Sequence, residues 1–278
     1  MNNELLLQAE RIKLARTLGV ADAKLDFLPE LPALELRSLR NRISHTLFDQ
    51  HQVLFQRLAD AGKRLPLAVN ALISEKVFGP MLSARIAGLL APDRALEISG
   101  KLSVEFQAEL CQTLDPRSSP ELLRRMPVAN VVSVGRVLMA RKEFITMARF
   151  VDCLSDAAIK AVVKDTQDDE VLLRIGFYVE SSARLSHAIS LIPDPRLVQM
   201  IQTSIDGAAD LQQAGAALIS TVDDTQKARL AEAAASLSRE SMEKLVRTLV
   251  NEKAEGALLS ALALMSDAGR KRLQAALR

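Results

Sequence analysis

Apolar residues recur along this chain at helical intervals. In EFITMARFVDCL, Phe144, Met147, Val151 and Leu154 follow one another at i, i+3, i+7 and i+10, with Phe150 on the same arc and Arg149 and Asp152 opposite. That spacing predicts a helix with one buried face and one wet face. Met242, Leu245, Val246 and Leu249 repeat the pattern, as do Leu172, Ile175 and Val179. Only NVVSVGRVL, residues 130 to 138, has a strand-like run of β-branched residues; Pro127 opens it and helices flank it, so it too is assigned to helix. Strand is therefore expected to be nearly absent.

The breaks between these segments are equally regular. Pro29, Pro32, Pro66, Pro80, Pro92, Pro116, Pro120, Pro127, Pro193 and Pro195 all fall between periodic stretches. Proline at a helix start gives up an amide that has no partner there anyway, whereas in a helix interior it costs about 3 kcal/mol. Asp49 with Gln52, Ser118 with Glu121, Thr166 with Asp169 and Asp223 with Gln226 all have capping-box spacing and mark further starts.

Four windows share one plan: 101–114, 153–166, 191–204 and 236–249. In each, an aliphatic residue (Leu102, Leu154, Ile192, Leu237) ends a helix and a breaker follows (Ser103, Ser155, Pro193, Ser238). The next helix then offers an adjacent apolar pair for burial: Leu110 and Cys111, Val162 and Val163, Met200 and Ile201, Leu245 and Val246. The breakers are 52, 38 and 45 residues apart, near the period of two-helix repeats such as HEAT, though amphipathic helices can be aligned in this way by chance. A single helix pair cannot bury its apolar face, so such pairs stack on their neighbours. The expectation is an all-α protein of irregular helical hairpins stacked as a right-handed, HEAT-like superhelix over residues 66–278. Residues 1–65 form an N-terminal helical segment packed on that array, possible also as one continuous domain.

The run from about Leu82 to Ser204, with short helices that end in Leu and restart at Asp or Pro, resembles the N-terminal superhelical domain of MgtE-type magnesium transporters. The resemblance covers less than half the chain and implies a right-handed superhelix used for regulation or docking. The chain departs from that family in having neither a membrane segment nor a cystathionine-synthase-type nucleotide module, so no transport role carries over.

Composition fits the helical assignment. Aromatic residues make up 3%, with no Trp and one Tyr, against 49% hydrophobic residues overall. Basic and acidic residues number ten and eight in 1–70, ten and eight in 71–145, and sixteen and eighteen in 146–278. No segment has the charge asymmetry of a nucleic-acid or anionic-membrane surface. The longest uncharged apolar stretches, 211–222 and 256–266 with their neighbours, fall short of the roughly 18 residues of a membrane span. With no basic leader at Met1 and two cysteines too few for a disulfide framework, a cytoplasmic protein is expected. Cys111 and Cys153 are expected in the core.

Candidate chemistry is sparse. His45, His51 and His187 lack metal-ligand spacing, since the first two would point to different faces of one helix. Asp168, Asp169 and Glu170 form the densest acidic run; a helix start capped by Thr166 accounts for them, while a divalent cation stays open as an alternative. ISGKLS, around Gly100 and Lys101, has Ala95 and Leu102 where a phosphate loop needs Gly and Ser or Thr. Arg37, Arg40, Arg124, Arg125, Arg141 and Lys142 form the basic clusters and are assigned to solvated helix faces. No catalytic, cofactor-binding or metal-binding residue is assigned, and no partner-binding residue is identified. The expected function is a non-enzymatic protein or peptide scaffold; the alternatives are a binder of a small or apolar ligand between helices, with Met126, Met139 and Met147 lining it, and an enzyme without a recognisable motif.

Overall fold

The computed structural model describes residues 3–28, 31–49 and 52–276. Among the described residues it contains helices and no strand. Helix α1 (Asn3–Leu18) is followed by a 3-10 turn at Asp22–Leu25, then α2 (Ala33–Asp49) and α3 (Gln52–Gly62). Next come α4 (Leu67–Ile73), a π-helical turn (Ser74–Phe78), α5 (Gly79–Ala87), α6 (Pro92–Ser99), α7 (Val104–Thr113) and a 3-10 turn (Pro116–Ser118). The chain continues through α8 (Pro120–Arg124), α9 (Val128–Ala140), α10 (Phe144–Val151), α11 (Asp156–Asp165), α12 (Asp169–Phe177), α13 (Ser182–Ser190) and α14 (Asp194–Asp206). The last helices are α15 (Ala209–Thr221), α16 (Asp224–Ala234), α17 (Arg239–Asn251), α18 (Glu255–Leu264) and α19 (Asp267–Ala276). The strand-like run 130–138 lies wholly inside α9, opened by Pro127.

Contacts divide the chain into two compact units: unit 1 is Met1–Arg37 with Thr166–Arg278, and unit 2 is Ser38–Asp165. Within unit 2 the packing steps by two: α5 lies on α7, α7 on α9 and α9 on α11, while α4 lies on α6 and α6 on α8. Unit 1 repeats this with α12 on α14, α14 on α16 and α16 on α18, and α15 packs against α12 and α14. In each unit alternate helices thus pack on one another, with α15 in unit 1 joining two of them.

All four breakers do begin helices. Ser103 and Ser238 accept at their hydroxyls from the amides of Phe106 and Ser241, Ser155 accepts from Ala158, and Pro193 precedes α14 in an extended conformation. The residues these helices bury differ from the adjacent pairs expected. The fourth residue after each breaker is buried (Gln107, Ile159, Leu197, Met242), and so is the eleventh (Leu114, Thr166, Ser204, Leu249). Of the expected pairs, only Met200 is fully buried, and Val246 is exposed. Neighbouring helical residues point about 100° apart, so both cannot sit at the centre of one contact, whereas residues seven apart return to the same line after two turns.

Helix starts are also corrected in two places. Asp168, directly before α12, accepts from the Glu170 amide, while Thr166 is buried as one of the eleventh-position residues. Ser118 closes the 3-10 turn that Asp115 caps, and its hydroxyl donates to the Asp115 carbonyl. Asp223 caps α16 at 2.9 Å from the Gln226 amide, as its spacing predicts. The side chains of the Asp49 and Gln52 pair lie outside the described residues, as does Pro29.

Arginines tie successive helices of each row together. Arg94 of α6 donates to the carbonyls of Gly62 and Leu65 ahead of α4, and Arg125 after α8 pairs with Asp93 in the first turn of α6. In unit 1, Arg196 of α14 pairs with Asp169 of α12 and donates to the Thr166 carbonyl. Arg229 of α16 donates to the carbonyls of Ile189 and Ile192 and to Asp194 of α14. Arg196 and Arg229 thus each hold carbonyls ahead of a helix together with an acidic residue in that helix's first turn, while Arg94 holds carbonyls and Arg125 the Asp93 carboxylate. Two of the basic residues assigned to solvated faces are instead held in the structure: Arg37 is half-buried against Glu10, and Arg40 is buried; Arg141 is exposed as expected, 3.8 Å from Glu109. Arg124 and Lys142 are exposed as expected. Arg149 and Asp152 are half-buried instead of wet, because Arg149 reaches in to donate to the Leu114 carbonyl at 3.0 Å.

Both cysteines pack in the core of unit 2 with Ala84, Leu123 and Phe150. The Cys153 thiol donates to the Pro116 carbonyl. Part of Cys111 reaches the surface, yet its sulfur is surrounded by protein and burial pushes the thiol up to about 12, with Arg149 opposing. Thiolate is the reactive form. Neither cysteine is expected to react with Ellman's reagent within minutes in the native protein, and both should react in guanidinium chloride; rapid stoichiometric labelling without denaturant would contradict this packing.

Candidate partner-binding surface

The sequence-predicted sites disperse in the structure. Asp168 is spent on its cap, Asp169 on Arg196, and Glu170 lies 3.6 Å from Arg174, so the acidic run is a helix start. Among the described residues no group of three or more His, Cys, Asp or Glu could hold a metal ion. His187 is half-buried in α13; the His45 side chain and all of His51 lie outside the described residues. Gly100 and Lys101 form the turn between α6 and α7. Met126 and Met147 pack into the core of unit 2, and Met139 is half-buried. A crevice in unit 1 beside Phe177 and Leu218 has a volume of about 10 Å³. That is room for about one water, where a drug-sized ligand needs several hundred Å³.

What the structure does bring forward is the segment α4, π turn and α5. Val69, Leu72, Val77 and Met81 stand exposed along it, with Leu72 58%, Val77 72% and Met81 64% accessible. In an uninterrupted α-helix the five-residue step from Leu72 to Val77 would turn the second side chain some 140° away from the first. The π turn takes up one extra residue, so this step closes about one turn. The amide of Gly79 donates to the Ser74 carbonyl, five residues back, and Gly79 has φ 69°, a conformation that favours glycine.

The segment is held firmly from below. Extended Pro66 starts α4, and the Asn70 side-chain amide donates to the carbonyls of Gly62 at 2.9 Å and Leu65 at 3.3 Å, closing the loop before it. Buried Ala71 faces inward from the same helix. The buried Ser83 hydroxyl donates to the Ser74 carbonyl, and Thr113 of α7 donates to the Pro80 carbonyl. Glu75, on the π turn, accepts from the Ser103 amide at 2.6 Å, which holds its carboxyl below the usual range and joins the turn to the start of α7. Arg85 of α5 lies 5.4 Å from the centre of the Phe55 ring on α3. Arg64, five residues before Val69, and Lys76, directly before Val77, are exposed.

Four apolar side chains with this exposure amount to an area on the order of a few hundred Å², the size of the largest apolar patch on a typical monomer, which is often functional. Sequence reasoning passed over the row because LAVNALI reads as an ordinary buried helix; only an excess of apolar positions over what one buried face needs would have signalled it.

Comparison with protein-family models, with curated proteins and with solved structures finds no match for this chain. Among the described residues no helix is long and apolar enough to cross a membrane.

Proposed function

We propose that the protein is a non-enzymatic interaction scaffold of the cytoplasm, a HEAT-like stack of helical hairpins following a right-handed superhelix, that binds another protein or peptide. The observation that supports this best is the apolar row Val69, Leu72, Val77 and Met81, presented on a segment anchored by Asn70, Glu75 and Ser83. A rigid surface that already exposes its anchors spends little ordering entropy on binding. Arg64 and Lys76, exposed close to the row in sequence, favour a partner whose apolar residues are flanked by acidic ones.

The test is a titration of the purified chain against the partner it retains from its native source, with Leu72→Asp and Met81→Asp as variants. A central apolar anchor contributes more than about 1.4 kcal/mol, so each variant is expected to weaken binding by about tenfold or more with its helical dichroism unchanged. Equal affinity for the wild type and both variants would remove the row from the interface.

A further inference from the structure

Exposure of large apolar side chains is uneven along the chain. Between residues 82 and 245 Val128 alone among them is exposed, whereas Val69, Leu72, Val77 and Met81 are among those before that stretch, and Val246, Val250 and Leu259 among those after it. These are the places where the packing of alternate helices begins and ends: α4 opens the series α4, α6, α8 in unit 2, and α18 closes the series α12, α14, α16, α18 in unit 1. A helix inside such a series is covered on two sides, the first and the last on one. We propose that the two bare faces are each other's partner between molecules, so that the α17 and α18 face of one copy docks head to tail on the α4 and α5 row of a second copy. This inference rests on the reading of that row as a docking surface and names its occupant.

Helix α18 buries Ala261 and Met265 against Ala231 of α16 and Ala235 just after it. Leu259, two residues from Ala261, is turned about 200° from it. It is 66% accessible. Helix α4 has the same arrangement, with Ala71 buried and Val69, two residues away, exposed. On α17, which packs against α18, Val246 and Val250 stand exposed one turn apart. Each face bares apolar side chains on the order of a few hundred Å². Because an interface is little more than half apolar, two such faces support a contact of about 1,000 Å² or more, the size a specific one needs. The neighbouring charge fits too. Glu243 and Glu255 are exposed within a turn of Val246 and Leu259 and provide the acidic flank that Arg64 and Lys76 favour, with Arg247 the base set among them. Row against row would instead set basic neighbours against basic ones.

The test is sedimentation velocity of the full chain at up to about 100 μM, above the micromolar Kd of modest interfaces. Leu72→Asp and Leu259→Asp are the variants, with helical dichroism checking each fold; Val250→Asp replaces Leu259→Asp should that chain lose helix. The wild type is expected to sediment above the mass of one chain, and each variant alone to associate at least about tenfold more weakly. Mixed, the two variants are expected to pair, one copy of each and no further, because one keeps the α18 face and the other keeps the row. A monomeric wild type, either variant associating like the wild type, or a mixture that stays monomeric would each overturn the proposal. If the wild type is monomeric while Leu72→Asp still weakens binding of a separate partner in the titration above, this inference alone falls; equal affinity in that titration removes the row and this inference with it.

Discussion

Leu211→Ala is expected to lower the stability of unit 1 by about 2–5 kcal/mol. Leu211 is among the largest side chains with essentially no exposure, and it sits where α14 turns into α15. A Cβ on Gly207 would approach its Cδ1 to 2.6 Å, so the chain ahead of it is already pressed against it. Its carbonyl accepts from the buried Ser204 hydroxyl at 3.2 Å, which ties the backbone of the two helices together and limits collapse into the space a methyl would leave. Tyr178 is the single tyrosine, no tryptophan is present, and the ring lies in unit 1 in edge contact with Phe177 at 5.0 Å. Tyrosine fluorescence in a urea titration therefore reports this unit, and its midpoint should fall with little change in slope. A loss below about 1 kcal/mol would mean that the site relaxes freely and is not keyed as described.

The second large effect concerns the arginine ties. Arg229→Ala is expected to cost about 1–3 kcal/mol, because the carbonyls of Ile189 and Ile192, both on buried residues, lose their side-chain donor along with the ion pair to Asp194. Arg229→Lys should recover little of this, since one ammonium on a flexible stem cannot span three acceptors held by a planar fork. Arg239→Ala is the matching control: its pair with Glu243 is exposed on one helix and should change stability by less than about 0.5 kcal/mol. The same tyrosine-detected titration distinguishes them, and equal small losses at 229 and 239 would show that the ties between successive helices of a row carry no weight.

Much of the fold was legible because its signals are local. Proline and N-cap chemistry acts within one turn, so Ser103, Ser155, Pro193, Ser238 and Asp223 mark helix starts in sequence and in structure alike. Where two residues compete for one cap, spacing alone misleads: Asp168 stands next to α12 with a charged acceptor, and Thr166 is withdrawn into the core. The adjacent pairs such as Leu245 and Val246 were expected to be buried together because hydropathy does not register the direction of a side chain around the helix. Arg37 looked solvated because its partner, Glu10, lies on another helix.

The candidate site was the least legible part. An apolar residue on a helix carries the same local signal whether a neighbour covers it or not, so Leu72 and Ala71 are indistinguishable in sequence although one is exposed and the other buried. The π turn that brings Val77 into line depends on partners far along the chain, the Ser103 amide on Glu75 and the Ser83 hydroxyl on the Ser74 carbonyl. Such turns recur at functional sites in helical proteins.

The most direct measurement is amide hydrogen exchange on the full chain with and without its purified partner. Exchange is expected to slow across residues 67–87, the segment bearing Val69, Leu72, Val77 and Met81, with smaller changes elsewhere in unit 2. Protection confined to other segments, with 67–87 exchanging as in the free chain, would contradict the assignment of this surface as the docking site.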